Sequence, residues 1–149
     1  MIKAIIDSDV IMDFFFERKP FDCEAELILA YCELGDIKGY VTPVIVSNLY
    51  YFLRKLKKHE QVIADLKQLL RILEVAEINK STIMEALSSK FNDFEDALHN
   101  YSIIPNCEIK VIITRNEKDY KWSNYSILTP KLYLKTFHNL DYTSNTTSS

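Results

Sequence analysis

The distribution of apolar and polar positions divides the chain into alternating short strands and helices. Residues 2–6 are mostly apolar and β-branched and stop abruptly at Asp7, which fits a strand buried on both faces at the centre of a sheet. Pro20 and Asp22 predict a turn and an N-cap, after which Ala25, Leu27, Ile28, Ala30, Tyr31 and Leu34 recur at helical spacing until Gly35. Tyr40 and Val41 predict a second strand, and Thr42-Pro43 predicts a cap with proline at the first helical position, the helix continuing to Lys57. Residues 60–71 carry a stripe of Val62, Ile63, Leu66, Leu69 and Leu70, with Asp65, Lys67, Gln68 and Arg71 elsewhere. Residues 73–78 shift to a strand-like pattern. Asn79 and then Asn92 or Asp93 are the expected caps of two further helices, ending near Ser89 and Ile104. Residues 109–113 form an apolar run closed by Thr114, residues 126–128 a last short strand, and Thr129-Pro130 another cap-and-proline helix start.

Strand and helix alternate throughout, which predicts an α/β domain of three layers around a mostly parallel sheet. Residues 143–149 are only Thr, Ser and Asn, too polar to offset the entropy of ordering. The expected organisation is one domain over residues 1–138 and a polar, disordered tail over residues 139–149.

Composition narrows the class further. A chain of 149 residues with 48% hydrophobic and 26% charged residues has the length and balance of one ordinary globular domain. A net charge of −3, from 18 Lys and Arg against 21 Asp and Glu, provides no global positive field, so any contact with nucleic acid depends on local patches. Cys23, Cys32 and Cys107 form no C-x-x-C pair and are odd in number; they read as small buried side chains in a reducing compartment, and the expected location is the cytoplasm. No segment approaches the roughly 18 apolar residues of a membrane span.

In parallel sheets, ligands gather outside the carboxyl ends of the strands. Asp7 and Asp9 follow the first strand, Asp119 lies shortly after the strand ending at Ile113, and Asp93 and Asp96 share a helical face between them. Each acid has an ordinary alternative role as a cap or a solvated turn residue. Converging in one crevice, they would repel each other unless a cation neutralised them, and oxygen ligands of this kind suit Mg²⁺ or Mn²⁺. His59, His99 and His138 show no metal-ligand spacing; His99, three after Asp96, could face near the site but reads as a helix-surface residue rather than a general base. No phosphate-cradling loop, dinucleotide fingerprint or Ser/His/Asp arrangement is present.

Three stretches carry a family resemblance: Ile5-Ile6-Asp7-Ser8-Asp9-Val10-Ile11-Met12-Asp13, Asp93-Phe94-Glu95-Asp96-Ala97-Leu98, and Ile112-Ile113-Thr114-Arg115-Asn116-Glu117-Lys118-Asp119-Tyr120. In order and spacing they resemble the motifs of PIN-domain nucleases, and Leu128-Thr129-Pro130 resembles that family's final strand-to-helix ending. The resemblance implies a PIN fold and metal-dependent RNA cleavage, as in the VapC-type toxins of prokaryotic toxin–antitoxin pairs. It assigns Asp7, Asp96 and Asp119 as catalytic, metal-binding acids, with Thr114 and Asn116 as their polar neighbours. Two positions depart from the pattern. The family's second acid, usually Glu, aligns with Asn48, which offers one neutral carbonyl oxygen and lowers the expected metal affinity. Asp9 stands where the family commonly has Asn and, with Asp93, returns negative charge.

Around the last motif, Thr114, Arg115, Asn116 and Lys118 are the expected substrate-binding residues, with Arg115 and Lys118 holding the RNA backbone, while Arg54-Lys55-Leu56-Lys57-Lys58 reads as a solvated face. Tyr50, Tyr51, Tyr120 and Trp122 are candidates for stacking on bases. An antitoxin and a second copy of the chain are the expected protein partners, with residues 49–53 as a possible dimer surface. Two other readings remain open: a PIN scaffold that binds RNA or a protein without cleaving, and a haloacid-dehalogenase-type phosphatase with Asp7 as nucleophile. The latter lacks the expected Gly, since none follows Thr114.

Overall fold

The computed structural model describes residues 1–139; the expected tail lies outside them except for Asn139. Strands β1 (Ile2–Ile6), β2 (Ile37–Val41), β3 (Glu74–Val75), β4 (Val111–Ile113) and β5 (Ser126–Leu128) form one sheet in the order β3-β2-β1-β4-β5. Every neighbouring pair is parallel. Helices α1 (Ser8–Phe15), α2 (Asp22–Leu34), α3 (Pro43–Leu53), α4 (His59–Leu69), α5 (Lys80–Leu87), α6 (Phe94–Ser102) and α7 (Pro130–His138) complete a three-layer α/β/α domain.

The central position of β1 follows from its apolarity. Ala4, Ile5 and Ile6 are fully buried between Gly39 and Tyr40 of β2 and residues 111–113 of β4. Chain order runs outward from β1 to β3 on one side and from β4 to β5 on the other. The strand order therefore reverses between β1 and β4, and the crevice at their carboxyl ends is where such sheets bind ligands. Asp7 N–H donates to Ile113 O at 3.0 Å, closing this junction.

Capping chemistry sets most helix starts. Thr42 accepts from Ile45 N–H, Asp93 from Asp96 N–H and Thr129 from Leu132 N–H, while Asn79 and Thr82 form a reciprocal box. Gly35 ends α2 in the left-handed conformation, φ 86°.

Several boundaries differ from the sequence pattern. Helix α2 is capped at Phe21, because the carboxylate of Asp22 pairs with Lys19 at 2.8 Å instead. Helix α3 stops at Leu53 rather than Lys57, since the chain tightens into i→i+3 bonds at Lys55 and Leu56 and Arg54 Nη1 donates to Lys57 O. Leu70 lies just past α4 and is exposed. The strand pattern of residues 73–78 shrinks to two paired residues at the sheet edge. Helix α1 had no apolar-periodic signature long enough to separate it from a strand; Asp7 caps it, and Val10 and Ile11 are driven into the core. In residues 49–53, Leu49 and Leu53 are core while Tyr51 and Phe52 face outward.

Gly39 is required by close packing. A Cβ there would lie 2.6 Å from Leu73 Cδ2 and 2.7 Å from Cys32 Sγ, both side chains buried. Gly39→Ala is expected to destabilise the fold by about 1–3 kcal/mol, measured by urea denaturation.

Candidate active site

The β1–β4 junction collects the acids by simple chain geometry. Asp7 leaves β1 as the N-cap of α1, its Oδ1 accepting from Ser8 N–H at 2.8 Å. Its other oxygen accepts from Thr114 Oγ1 at 2.9 Å, and Thr114, fully buried, is the first residue after β4. Asp9 Oδ1 accepts from Val10 N–H at 2.7 Å and its Oδ2 from Arg115 N–H at 3.0 Å, tying the start of α1 to the loop after β4. From α6, Asp96 reaches the same place. The Tyr120 hydroxyl lies 3.1 Å from Asp7 Oδ2 and 3.1 Å from Asp96 Oδ1. A phenol has a single proton to donate, so only one of the two carboxylates receives it.

Carboxylate oxygens of Asp7 and Asp96 and a ring nitrogen of His99 all lie within 4.8 Å of one another, and all three residues are buried. His99 is 1% exposed and pairs through Nδ1 with Thr42 Oγ1 at 3.1 Å; burial pushes its pKa down. Of the two places the sequence allows this histidine, near the site or on the helix surface, the structure takes the first rather than the favoured second. Its spacing of three from Asp96 was the available signal, because residues three apart share a helical face. Tyr120, a candidate for base stacking in the sequence reading, is instead 1% exposed. Its hydroxyl spans the acids, and burial with Asp7 and Asp96 pushes its pKa strongly up, so it keeps its proton. Trp122 is half exposed, with Lys90 and Lys121 near its ring face.

The remaining expected site residues lie around this centre. Asp119 is exposed on the 3₁₀ turn Glu117–Tyr120, which sends Tyr120 inward and its neighbour outward; its charge still raises the pKa of Asp96. Asp93 is exposed and caps α6. Asn48 on α3 donates through Nδ2 to Glu95 Oε2 at 2.7 Å, so a carboxylate from α6 stands beside the amide. Asn116 and Lys118 are exposed at the rim. Arg115 is held by a partner that sequence spacing did not reveal: its Nη2 donates to Oδ1 of the fully buried Asp13 at 2.9 Å, its Nε to Oδ2, and its guanidinium lies 3.9 Å from the Phe21 ring centre.

Crowded burial makes the acids hold protons. Desolvation first, then Asp7 and Asp93, push the Asp96 carboxyl up to about 8. Desolvation and then Asp7 push Asp9 up to about 7. In the unfolded chain both ionise near pH ~4. Between the two ranges the folded state binds more protons, so stability falls as pH rises through the raised values. In EDTA, the melting temperature is expected to drop by roughly 3–6 °C between pH 5 and pH 8.5, measured by scanning calorimetry; a rise over that window would contradict the packing of these acids.

The donor chemistry fits a hard dication. Two buried acids converge on one hydroxyl, and Asp96 receives no other hydrogen bond at its side chain from the described residues. The deficit is of positive charge, which Mg²⁺- or Mn²⁺-type ions supply.

The chain is 25% identical over 146 residues to ribonuclease VapC1 of Aquifex aeolicus (strain VF5), covering 93% of this chain and 97% of that one. Its fold matches the toxin–antitoxin complex from Klebsiella pneumoniae at TM-score 0.64 with 18% identity, covering 85% of this chain and 97% of that chain. VapBC2 from Rickettsia felis, bound to a promoter DNA fragment, matches at TM-score 0.61 with 16% identity, over 85% and 97% of the two chains. VapBC-1 from nontypeable Haemophilus influenzae matches at 0.62 with 12% identity, over 87% and 98%. A PIN domain model matches residues 3–118, a span that takes in the β1–β4 junction with Asp7, Asp9, Asp96 and Thr114. The chain belongs to the PIN domain family.

Proposed function

We propose that this protein is a divalent-metal-dependent endoribonuclease of the VapC type, hydrolysing RNA phosphodiester bonds. The observation that carries the reading is the buried convergence of Asp7 and Asp96 on one Tyr120 hydroxyl at the β1–β4 switch point. Asp7 and Asp96 would hold Mg²⁺ or Mn²⁺, with Asp119 at the rim and Asp9, Asp93 and Asn48 adding charge or oxygen around them. Such an ion supplies activation of water and neutralisation of charge at the scissile phosphate. Thr114 orients the Asp7 carboxylate by its hydrogen bond, and Tyr120 fixes the separation of Asp7 from Asp96. Lys118 and Asn116, both exposed, are placed to meet the RNA backbone, while Nε and Nη2 of Arg115 serve Asp13.

Purified protein is expected to cut single-stranded RNA with Mn²⁺ or Mg²⁺ and to stop in EDTA. Absence of metal-dependent cleavage would favour the second reading, a binding scaffold, which Asn48 in place of an acid supports. Family membership removes the ground for the phosphatase reading, which rested on Asp7-Ser8-Asp9-Val10 and on Ile113-Thr114 as a second motif and lacked a Gly after Thr114.

An antitoxin is the proposed protein partner, a cytoplasmic one in keeping with three free cysteines. A groove of about 690 Å³ runs between α1, α2 and α4. Its lining includes Phe14, Phe15, Leu29 and Ile72, with Glu17, Glu26 and Glu33 beside Arg71, and Asp65 already paired to Lys57 at 2.7 Å. That chemistry suits a segment with apolar and basic side chains. No helix among the described residues is long and apolar enough to cross a membrane.

A further inference from the structure

We propose that His99 is a nitrogen donor to the ion held by Asp7 and Asp96, so that the centre is a mixed carboxylate–imidazole site that prefers a transition dication such as Mn²⁺ over Mg²⁺. The proposal rests on the nuclease reading for the presence of an ion, and on independent observations for the histidine. A ring nitrogen of His99 falls within the same 4.8 Å group as the carboxylate oxygens of Asp7 and Asp96. The side chain is 1% exposed, so its direction is set by packing. Nδ1 is engaged by Thr42 Oγ1 at 3.1 Å, and Nε2 has no hydrogen-bond partner among the described residues.

Thr42 admits the tautomer that ligation requires. Its Oγ1 accepts from Ile45 N–H at 3.2 Å as the cap of α3, and a hydroxyl oxygen has a second lone pair for Nδ1–H. With the proton on Nδ1, the Nε2 lone pair is free. A ligating histidine whose second ring N–H is held by an acceptor is the usual arrangement in metal sites, because that bond fixes both tautomer and ring orientation. Imidazole nitrogen favours first-row transition ions, whereas Mg²⁺ takes oxygen almost exclusively.

The test uses the full chain, stripped with EDTA and loaded with Mn²⁺ alone, read by electron spin-echo modulation and by EPR titration. Bound Mn²⁺ is expected to show nitrogen-14 modulation that disappears in His99→Gln and persists in His59→Gln and His138→Gln. The His99→Gln change should weaken Mn²⁺ binding by roughly tenfold or more, and Mg²⁺ binding, measured by competition, by less than about threefold. Wild-type protein labelled with nitrogen-15 histidine answers the same question without a substitution, since the modulation must shift to the nitrogen-15 frequency. Mn²⁺ bound with no nitrogen modulation would overturn the histidine assignment and leave the nuclease reading standing. Wild-type protein that binds no Mn²⁺ and cuts no RNA would overturn both.

Discussion

Asp96→Asn is expected to lower metal-dependent RNA cleavage by roughly 10²–10³-fold or more, while leaving the fold intact and stabilising it in EDTA. The first effect follows from removing one of two buried carboxylates at the switch point. The second follows from electrostatics. Burial and Asp7 hold the Asp96 carboxyl up to about 8, so at pH above that value the folded chain carries a charge it disfavours. Asn preserves the shape and an oxygen for the Tyr120 hydroxyl, and it never ionises. At pH 8.5 the variant should melt about 2–4 °C higher than wild type without metal, and its melting temperature should change less between pH 5 and pH 8.5. Adding Mn²⁺ should raise the wild-type value more than the variant's. Wild-type cleavage by Asp96→Asn would remove this residue from the site; a lower melting temperature in EDTA would show that its charge is not under strain.

Asp13→Ala is expected to produce the largest loss of stability, about 3–5 kcal/mol, through a residue outside the acid pair. Asp13 is 1% exposed on α1 and receives Arg115 through Nε and Nη2, with Arg18 Nη1 at 3.8 Å. Truncation leaves a partly buried guanidinium against Phe21 without its counter-charge. It also frees the loop whose next-door groups, Thr114 Oγ1 and Arg115 N–H, hold Asp7 and Asp9. Urea denaturation measures the first effect and loss of cleavage the second. Asp13→Leu combined with Arg115→Met should recover more than half of the lost stability, since apolar replacement of a buried pair avoids an orphaned charge. A loss below about 1 kcal/mol in Asp13→Ala would place the pair among solvent-screened contacts.

These two residues mark how far the sequence could be read. Asp96 was legible because a helical acid one turn from Asp93 and a strand-terminal Asp7 are both local patterns, and the strand rule brings them to one edge. Asp13 and Arg115 are 102 residues apart, and no periodicity links them. The same holds for Tyr120, whose hydroxyl meets carboxylates from β1 and α6. Asn48 could be aligned with a family acid, but its bond to Glu95 joins α3 to α6 and exists only after packing. His99 has a local signal toward the site in its spacing from Asp96, but a histidine on a short helix still reads as surface until the helix's buried face is known; α5 and the β1–β4 junction define that face.

The chain by itself determined the alternation of strand and helix, the central place of β1, the caps at Thr42, Asn79 and Thr129, a cap at Asn92 or Asp93, and the candidate acids, because hydrophobic period and capping are properties of adjacent residues. Only the tertiary structure decided which charges meet. Asp7, Asp96 and His99 share one buried space, Asp119 stays at its rim, and Arg115 is turned to Asp13, since burial and pairing depend on the three-dimensional neighbours that desolvate each group.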